Sequence, residues 1–212
     1  LAVGAGKDEM DENGDSDGGT DRGAVHIMFM NTDGSVDSTV EINDSTDNGP
    51  ELSNSDFFGR SIANIGDLNS DGVNDLAVGA YGDDEGGGAR GAVHIMFMNT
   101  DGTVDETVEI NDSTANGPTL SNSDQFGFAV ENIGDLDGNG VNDVAMGGWM
   151  ADVTGTPSNS GLVIIGFLNT SGGLEDTVQI HASTTNGPSL TAEDNYGMYI
   201  ANIGDLDGDG VQ

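Results

Sequence analysis

There is no cysteine anywhere in the 212 residues, so neither a disulfide scaffold nor a thiolate metal site is possible. Positive charge is nearly as scarce. Four Lys and Arg side chains stand against 38 Asp and Glu, for a formal net charge of −34. Nucleic acid and anionic membrane surfaces both need Lys/Arg-rich faces, and the chain has none to offer. Long apolar runs are missing too. Ala24-Val25 and Ile27-Met28-Phe29-Met30, interrupted by His26, fall far short of the ~20 residues of a membrane span, so no membrane insertion by this segment is expected. Nor does any stretch carry the period of a long amphipathic helix, which argues against α/β architectures. A chain this acidic resists compaction through self-repulsion unless cations or salt screen it, and the near absence of lysine points to a saline setting.

What the chain does have is glycine, 35 residues of it, and a short pattern built around Asp and Gly. The pattern is clearest at Ile65-Gly66-Asp67-Leu68-Asn69-Ser70-Asp71-Gly72-Val73-Asn74-Asp75, followed by Leu76-Ala77-Val78-Gly79-Ala80. Counting from Asp67, oxygen-bearing side chains fall at positions 1, 3, 5 and 9, on Asp67, Asn69, Asp71 and Asp75. Gly72 at position 6 permits a tight turn, and the Val73 carbonyl can then point inward. Three carboxylates, an amide oxygen and a carbonyl make a hard, all-oxygen donor set, which suits calcium better than a nitrogen- or sulfur-seeking metal. An EF-hand begins the same way but needs a glutamate at position 12 and flanking helices. Position 12 here is Val78, and the flanks Ser61–Ile65 and Leu76–Val78 read as short buried strands. The expected site is therefore a strand-to-strand turn closed by Asp75.

The pattern recurs in register at Asp135, Asp137, Asn139 and Asp143, and again at Asp205, Asp207 and Asp209, a period of about 70 residues. Leu1-Ala2-Val3-Gly4-Ala5 repeats Leu76–Ala80, so the chain is expected to be a cut from something longer. Two divalent ions would remove only four of the negative charges, which leaves most of them as a solvated surface. Each period also holds a Gly-Ala-Val strand (Gly23–Met30 and Gly91–Met98, for which Gly161–Leu168 stands in the third), a Thr-Val-Glu-Ile strand (Thr-Val-Gln-Ile in the third) and an Asn-Gly-Pro break. Four strands per period predict one four-stranded antiparallel sheet per repeat, the unit of a β-propeller. A solenoid of stacked hairpins is the other arrangement the period allows.

Several features read as structure rather than chemistry. His26 and His94 occupy matching strand positions where the third copy has Ile164, which marks them as packed strand histidines. Met28, Met30, Met96 and Met98 alternate and read as one packed face. Trp149 is expected to be partly buried. In the acidic loop, Asp11, Asn13, Asp15 and Asp17 alternate as cation ligands could, but a charge run of this kind is ordinarily a solvated loop. The Gly-rich run Tyr81–Gly88 carries carboxylates and is followed by no lysine, so it does not read as a phosphate cradle. No Ser/His/Asp or paired-carboxylate constellation can be assembled, and no catalytic residue is assigned.

Taken in order, Phe58-Gly59, the Ile-Gly-Asp-Leu-Asn loop, Leu-Ala-Val-Gly-Ala and Gly-Ala-Val resemble FG-GAP repeats, the blades of integrin α-subunit propellers. The resemblance implies an all-β fold of four-stranded antiparallel blades, here a fragment of a larger propeller. It implies one calcium ion per complete loop, held by Asp67, Asn69, Asp71, the Val73 carbonyl and Asp75. A second ion would lie on Asp135, Asp137, Asn139, the Val141 carbonyl and Asp143, with a partial third set on Asp205, Asp207, Asp209 and Val211. The family's blade boundaries give a partial blade at 1–50, whole blades at 51–118 and 119–188, and the start of another at 189–212. Propellers close with roughly four to eight blades, so this piece alone is expected to leave an open ring and exposed sheet edges. The function implied is adhesion, or binding of a protein or glycan ligand, in a secreted or cell-surface protein. The alternative is part of an extracellular hydrolase or lyase acting on polysaccharide or phospholipid, and a purely structural stalk is a third possibility.

Overall fold

The computed structural model describes residues 1–8 and 20–208. Eleven strands form in chain order: β1 (Ala2–Ala5), β2 (Ala24–Met30), β3 (Val36–Ile42), β4 (Ser61–Gly66), β5 (Asp75–Ala80), β6 (Ala92–Met98), β7 (Val104–Ile110), β8 (Phe126–Gly134), β9 (Asp143–Gly148), β10 (Leu162–Leu168) and β11 (Leu174–Ile180). Among the described residues there is no helix. The strands make three antiparallel sheets in the orders β1-β2-β3, β4-β5-β6-β7 and β8-β9-β10-β11. Sequential strands pair throughout, as blades of a propeller do, and the three sheets do not close a ring.

Two apolar cores hold the sheets face to face. Val25 and Ile42 of the first sheet meet Leu76, Val78, Met96 and Met98 of the second. The opposite face of the second sheet presents Ala77, Val93, Ile95 and Phe97 to Val130, Val144, Met146 and Ile164 of the third. Successive residues of a strand face opposite ways, so a sheet packed on both faces must be apolar at every position. β5 and β6 are apolar apart from Asp75 and His94, and every residue of both is buried.

Glycine sets how closely the sheets approach. A Cβ on Gly79 would lie 1.8 Å from the Gly127 carbonyl oxygen, and one on Gly147 would lie 1.9 Å from that of Gly197. Only a residue without a side chain fits there, which is the physical reason for pairing a Gly-Ala (or Gly-Gly) strand end with a Phe-Gly opening. Each opening is also fastened to the preceding sheet by a parallel bridge: Gly23 to Phe58, Gly91 to Phe126 and Gly161 to Tyr196. Asparagine side chains repeat the tie further along. Asn132 Nδ2 donates to the Asn64 carbonyl, and Asn202 Nδ2 to that of Asn132, each at 2.9 Å.

The blade expected to start at 189–212 forms no strand among the described residues 189–208. No second strand pairs with this segment among the described residues, and Tyr199 and Ile203 stay 80% and 72% exposed. The methionine face is likewise only half made. Met96 and Met98 are buried between two sheets, whereas Met30 is 44% exposed on the open side of the first.

Candidate metal centre

The turn between β8 and β9 is organised by its own carboxylates. Asp135 accepts from the amides of Gly138 and Gly140, at 2.8 and 2.9 Å. Asp137 accepts from the Asn139 amide at 2.9 Å, and Asn139 Oδ1 from the Val141 amide at 2.7 Å. Gly138 and Gly140 take φ of 80° and 91°, the left-handed region where glycine carries no steric penalty. The Val141 side chain is buried in the core between the second and third sheets and anchors the turn.

Asp143 differs from the other two carboxylates because it is fully buried. Its Oδ2 accepts from the Leu136 amide at 2.8 Å and its Oδ1 from the Leu168 amide, at the end of β10, at 3.0 Å. One side chain thus ties the turn to the third strand of its sheet. Burial raises its pKa, two backbone amides oppose the rise, and the charge of Asp137 adds to it. Asp135, Asp137 and Asp143 each bring an oxygen within 4.8 Å of the others, the only such trio of His, Cys, Asp or Glu ligands among the described residues. Three carboxylates converging with no cationic side chain among them fit a hard divalent cation in charge and donor type.

The β4–β5 turn follows the same plan with positions 3 and 5 exchanged. Asp67 accepts from the amides of Asp71 and Gly72, Asn69 Oδ1 from that of Asp71, and Asp71 from that of Val73. Fully buried Asp75 accepts from the amides of Leu68 and Met98 at 2.8 and 3.1 Å. Val73 packs against the core between the first and second sheets. Asp67, Asp71 and Asp75 do not all come within 4.8 Å of one another. The Asp75 pKa is raised by burial, opposed by its two amide bonds, and then raised further by the charges of Asp71 and Asp67. In the third copy Asp205 accepts from the Gly208 amide at 2.6 Å and Asp207 lies within the same turn. Asp209 and Val211 lie outside the described residues, as do Asp11, Asn13, Asp15 and Asp17.

At the opposite end of the sheets lies a feature the sequence did not announce. Phe57 stacks on Tyr81 at 4.8 Å between centroids, Tyr81 meets Phe128 at 5.1 Å, and Phe128 meets Trp149 at 5.1 Å. Arg60 covers Phe128 at 4.1 Å and Lys7 covers Phe57 at 5.5 Å, so two of the four basic residues lie on this aromatic row. The available signal was positional: Phe57 precedes Phe58-Gly59, and Tyr81 follows Gly79-Ala80. Trp149 is half-buried, as expected, and donates its Nε1 proton to Gln125 at 2.7 Å.

Residues 58–96, running from the Phe-Gly opening through the first turn into β6, match the family model for the FG-GAP repeat. The chain carries an FG-GAP repeat. It is similar to integrin alpha pat-2 of Caenorhabditis briggsae, 40% identical over 93 residues, or 43% of this chain and 7% of that relative. Integrin alpha-PS5 of Drosophila melanogaster is 38% identical over 96 residues, 45% of this chain and 9% of that relative. Human integrin alpha-IIb is 38% identical over 96 residues, 45% of this chain and 8% of that relative. The matched stretch therefore spans less than a tenth of the length of each of these integrin subunits.

Proposed function

We propose that this FG-GAP chain is a calcium-stabilised stretch of an integrin-α-like propeller, serving adhesion or the binding of a protein or glycan ligand at a cell surface or outside the cell. The observation that carries the reading is the convergence of Asp135, Asp137 and Asp143 in a turn whose donor spacing repeats that of the β4–β5 turn, which lies inside the FG-GAP match at residues 58–96. Asn139 and the Val141 carbonyl complete the donor set of that turn. Asp67, Asn69, Asp71, the Val73 carbonyl and Asp75 form the equivalent set, and Asp205, Asp207, Asp209 and Val211 part of a third. A calcium ion would supply positive charge to carboxylates that otherwise repel one another, and so pin the hairpin. The role is binding rather than catalysis, consistent with relatives that are integrin alpha subunits. Blades of 51–118 and 119–188, with parts of two more at 1–50 and 189–212, are the division we propose.

Calorimetric titration of the chelator-treated chain with calcium tests the proposal. One saturable ion is expected for each complete turn, and Asp137→Asn should remove one of them. Binding unchanged by Asp137→Asn would overturn the assignment.

A further inference from the structure

The turns between β4 and β5 and between β8 and β9 occupy one end of their sheets. At the other end of the middle sheet, the loop entering β4 meets the loop joining β5 to β6, and the Gly82 amide donates to the Asp56 carbonyl at 3.1 Å. Between them is a cavity of about 410 Å³ whose charged lining is Glu51, Asp56, Asp83, Asp84, Glu85 and Glu109, without one basic side chain.

Asp56 is 1% exposed. Its Oδ2 accepts from the Ser53 amide at 2.6 Å, while Oδ1 is buried with no hydrogen-bond partner. Asp83 is 5% exposed and accepts from the Glu85 amide at 2.9 Å. Glu109 accepts from Asn111 Nδ2 at 2.6 Å, and the same amide nitrogen reaches Glu85 at 3.5 Å. The surrounding charges give little relief. Arg22 only weakly lowers the Asp56 pKa and is itself paired with Asp44, while Asp112, paired with Arg90, adds negative charge beside Asp83. His94, paired across the ladder with Glu109, is buried edge-on to Phe58 with both ring nitrogens unpartnered. Burial lowers its pKa to about 4, so it is neutral and adds no positive charge.

We propose that this cavity is a second kind of divalent-cation site, independent of the hairpin turns, in which Asp56, Asp83 and Glu109 hold a hard ion such as calcium or magnesium that keeps part of its water. A buried carboxylate oxygen with neither hydrogen bond nor counter-ion is strongly disfavoured, and the donors facing the cavity are the hard oxygens such ions prefer. These oxygens are spread more widely than the trio in the β8–β9 turn. The cavity has room for several waters, at ~30 Å³ each, to fill the coordination shell.

Without an ion the site holds protons instead. Burial, with the charges of Asp83 and Asp84, pushes Asp56 up to about 7 against the pull of the Ser53 amide. Burial, then the charge of Asp83, and further on those of Glu85 and Asp56, push Glu109 up to about 7 despite its bond from Asn111. An arriving divalent ion displaces these protons into solvent, so binding weakens on acidification.

Equilibrium dialysis of the full chain with calcium alone, in high NaCl to suppress diffuse counter-ion binding, tests the proposal. The double variant Asp56→Asn, Glu109→Gln should bind one ion fewer than the parent, while Asp137→Asn should leave this site filled. In the unmodified chain, calcium should release protons near neutral pH. Affinity at this site should fall about tenfold from about pH 8 to about pH 6 for each proton displaced from a group titrating near 7. That measurement needs no variant to fold. Equal stoichiometry in the double variant, or calcium uptake without proton release near neutral pH, would overturn the proposal whatever the turns bind.

Discussion

Exposed Asp137 and buried Asp143 belong to the same trio, yet their loss should have different consequences. In the metal-free chain, Asp137→Asn keeps an oxygen for the Asn139 amide and should change stability by less than about 0.5 kcal/mol. Asp143→Asn keeps only one oxygen where two buried amides, those of Leu136 and Leu168, now find one each. The amide left without a partner should cost about 1–3 kcal/mol, partly offset because a poorly solvated charge is removed. With calcium present the two variants should converge. An ion held only by the folded chain stabilises it by about 2.7 kcal/mol at a hundredfold excess over its dissociation constant. For a chain of this size that is a melting shift of about 5–10 °C. Each variant should lose the share of the shift that the β8–β9 turn contributes.

Thermal unfolding followed by circular dichroism, in chelator and then in calcium, separates the two effects. The expected pattern is a normal chelator melting temperature for Asp137→Asn and a lowered one for Asp143→Asn, with a reduced calcium response in both. If Asp137→Asn kept the whole calcium shift, ion binding through the convergent trio would be refuted. If Asp143→Asn melted normally in chelator, Asp143 would not be the tie between turn and β10.

Other perturbations read other parts of the molecule. Gly79→Ala drives a methyl group to within 1.8 Å of the Gly127 carbonyl oxygen and should destabilise by at least roughly 1–3 kcal/mol. Gly148→Ala, whose methyl would lie 3.3 Å from the Asp124 carbonyl oxygen, should cost less than Gly79→Ala, and denaturant melts of the pair check the contrast. In chelator, stability should fall as pH rises from about 4 to about 7. Asp56 and Glu109 are both raised to about 7 from 3.8 and 4.5, so the folded chain holds protons that the unfolded chain has already released. A urea series across that range that stays flat or rises would contradict the assigned direction. Adding NaCl to the metal-free chain should raise its melting temperature, because screening relieves the repulsion of a −34 charge. Full stability in dilute salt and chelator would remove the case for a saline setting.

How far the sequence can be read is decided by whether a contact is local. The turns were legible because the bonds within them join residues at most seven apart, as when Asp135 accepts from Gly140 and Asp143 from Leu136, and such bonds leave a fixed spacing in the chain. The all-β blades were legible from period and strand composition for the same reason. Packing between sheets was not. β2 and β6 have the identical sequence Ala-Val-His-Ile-Met-Phe-Met, yet β6 is buried throughout while β2 is partly exposed beyond its first two residues. The heptapeptide is the same, and the difference lies in whether one or two sheets pack against it.

That distinction also sets what becomes of the histidine. On the less covered first sheet His26 lies 3.4 Å from Asp8, whereas the same position between two sheets strips His94 of every hydrogen-bond partner. The sequence identified both as packed residues but could not distinguish their surroundings. Asp75 and Asp143 carry a second layer of the same lesson. Spacing marks each as the last carboxylate of its turn, but their bonds to Met98 and Leu168 reach 23 and 25 residues along the chain. A buried carboxylate that closes the turn and also holds the third strand links occupation of the metal centre to the order of the whole blade. Ion binding should therefore be felt across the sheet as well as in the hairpin.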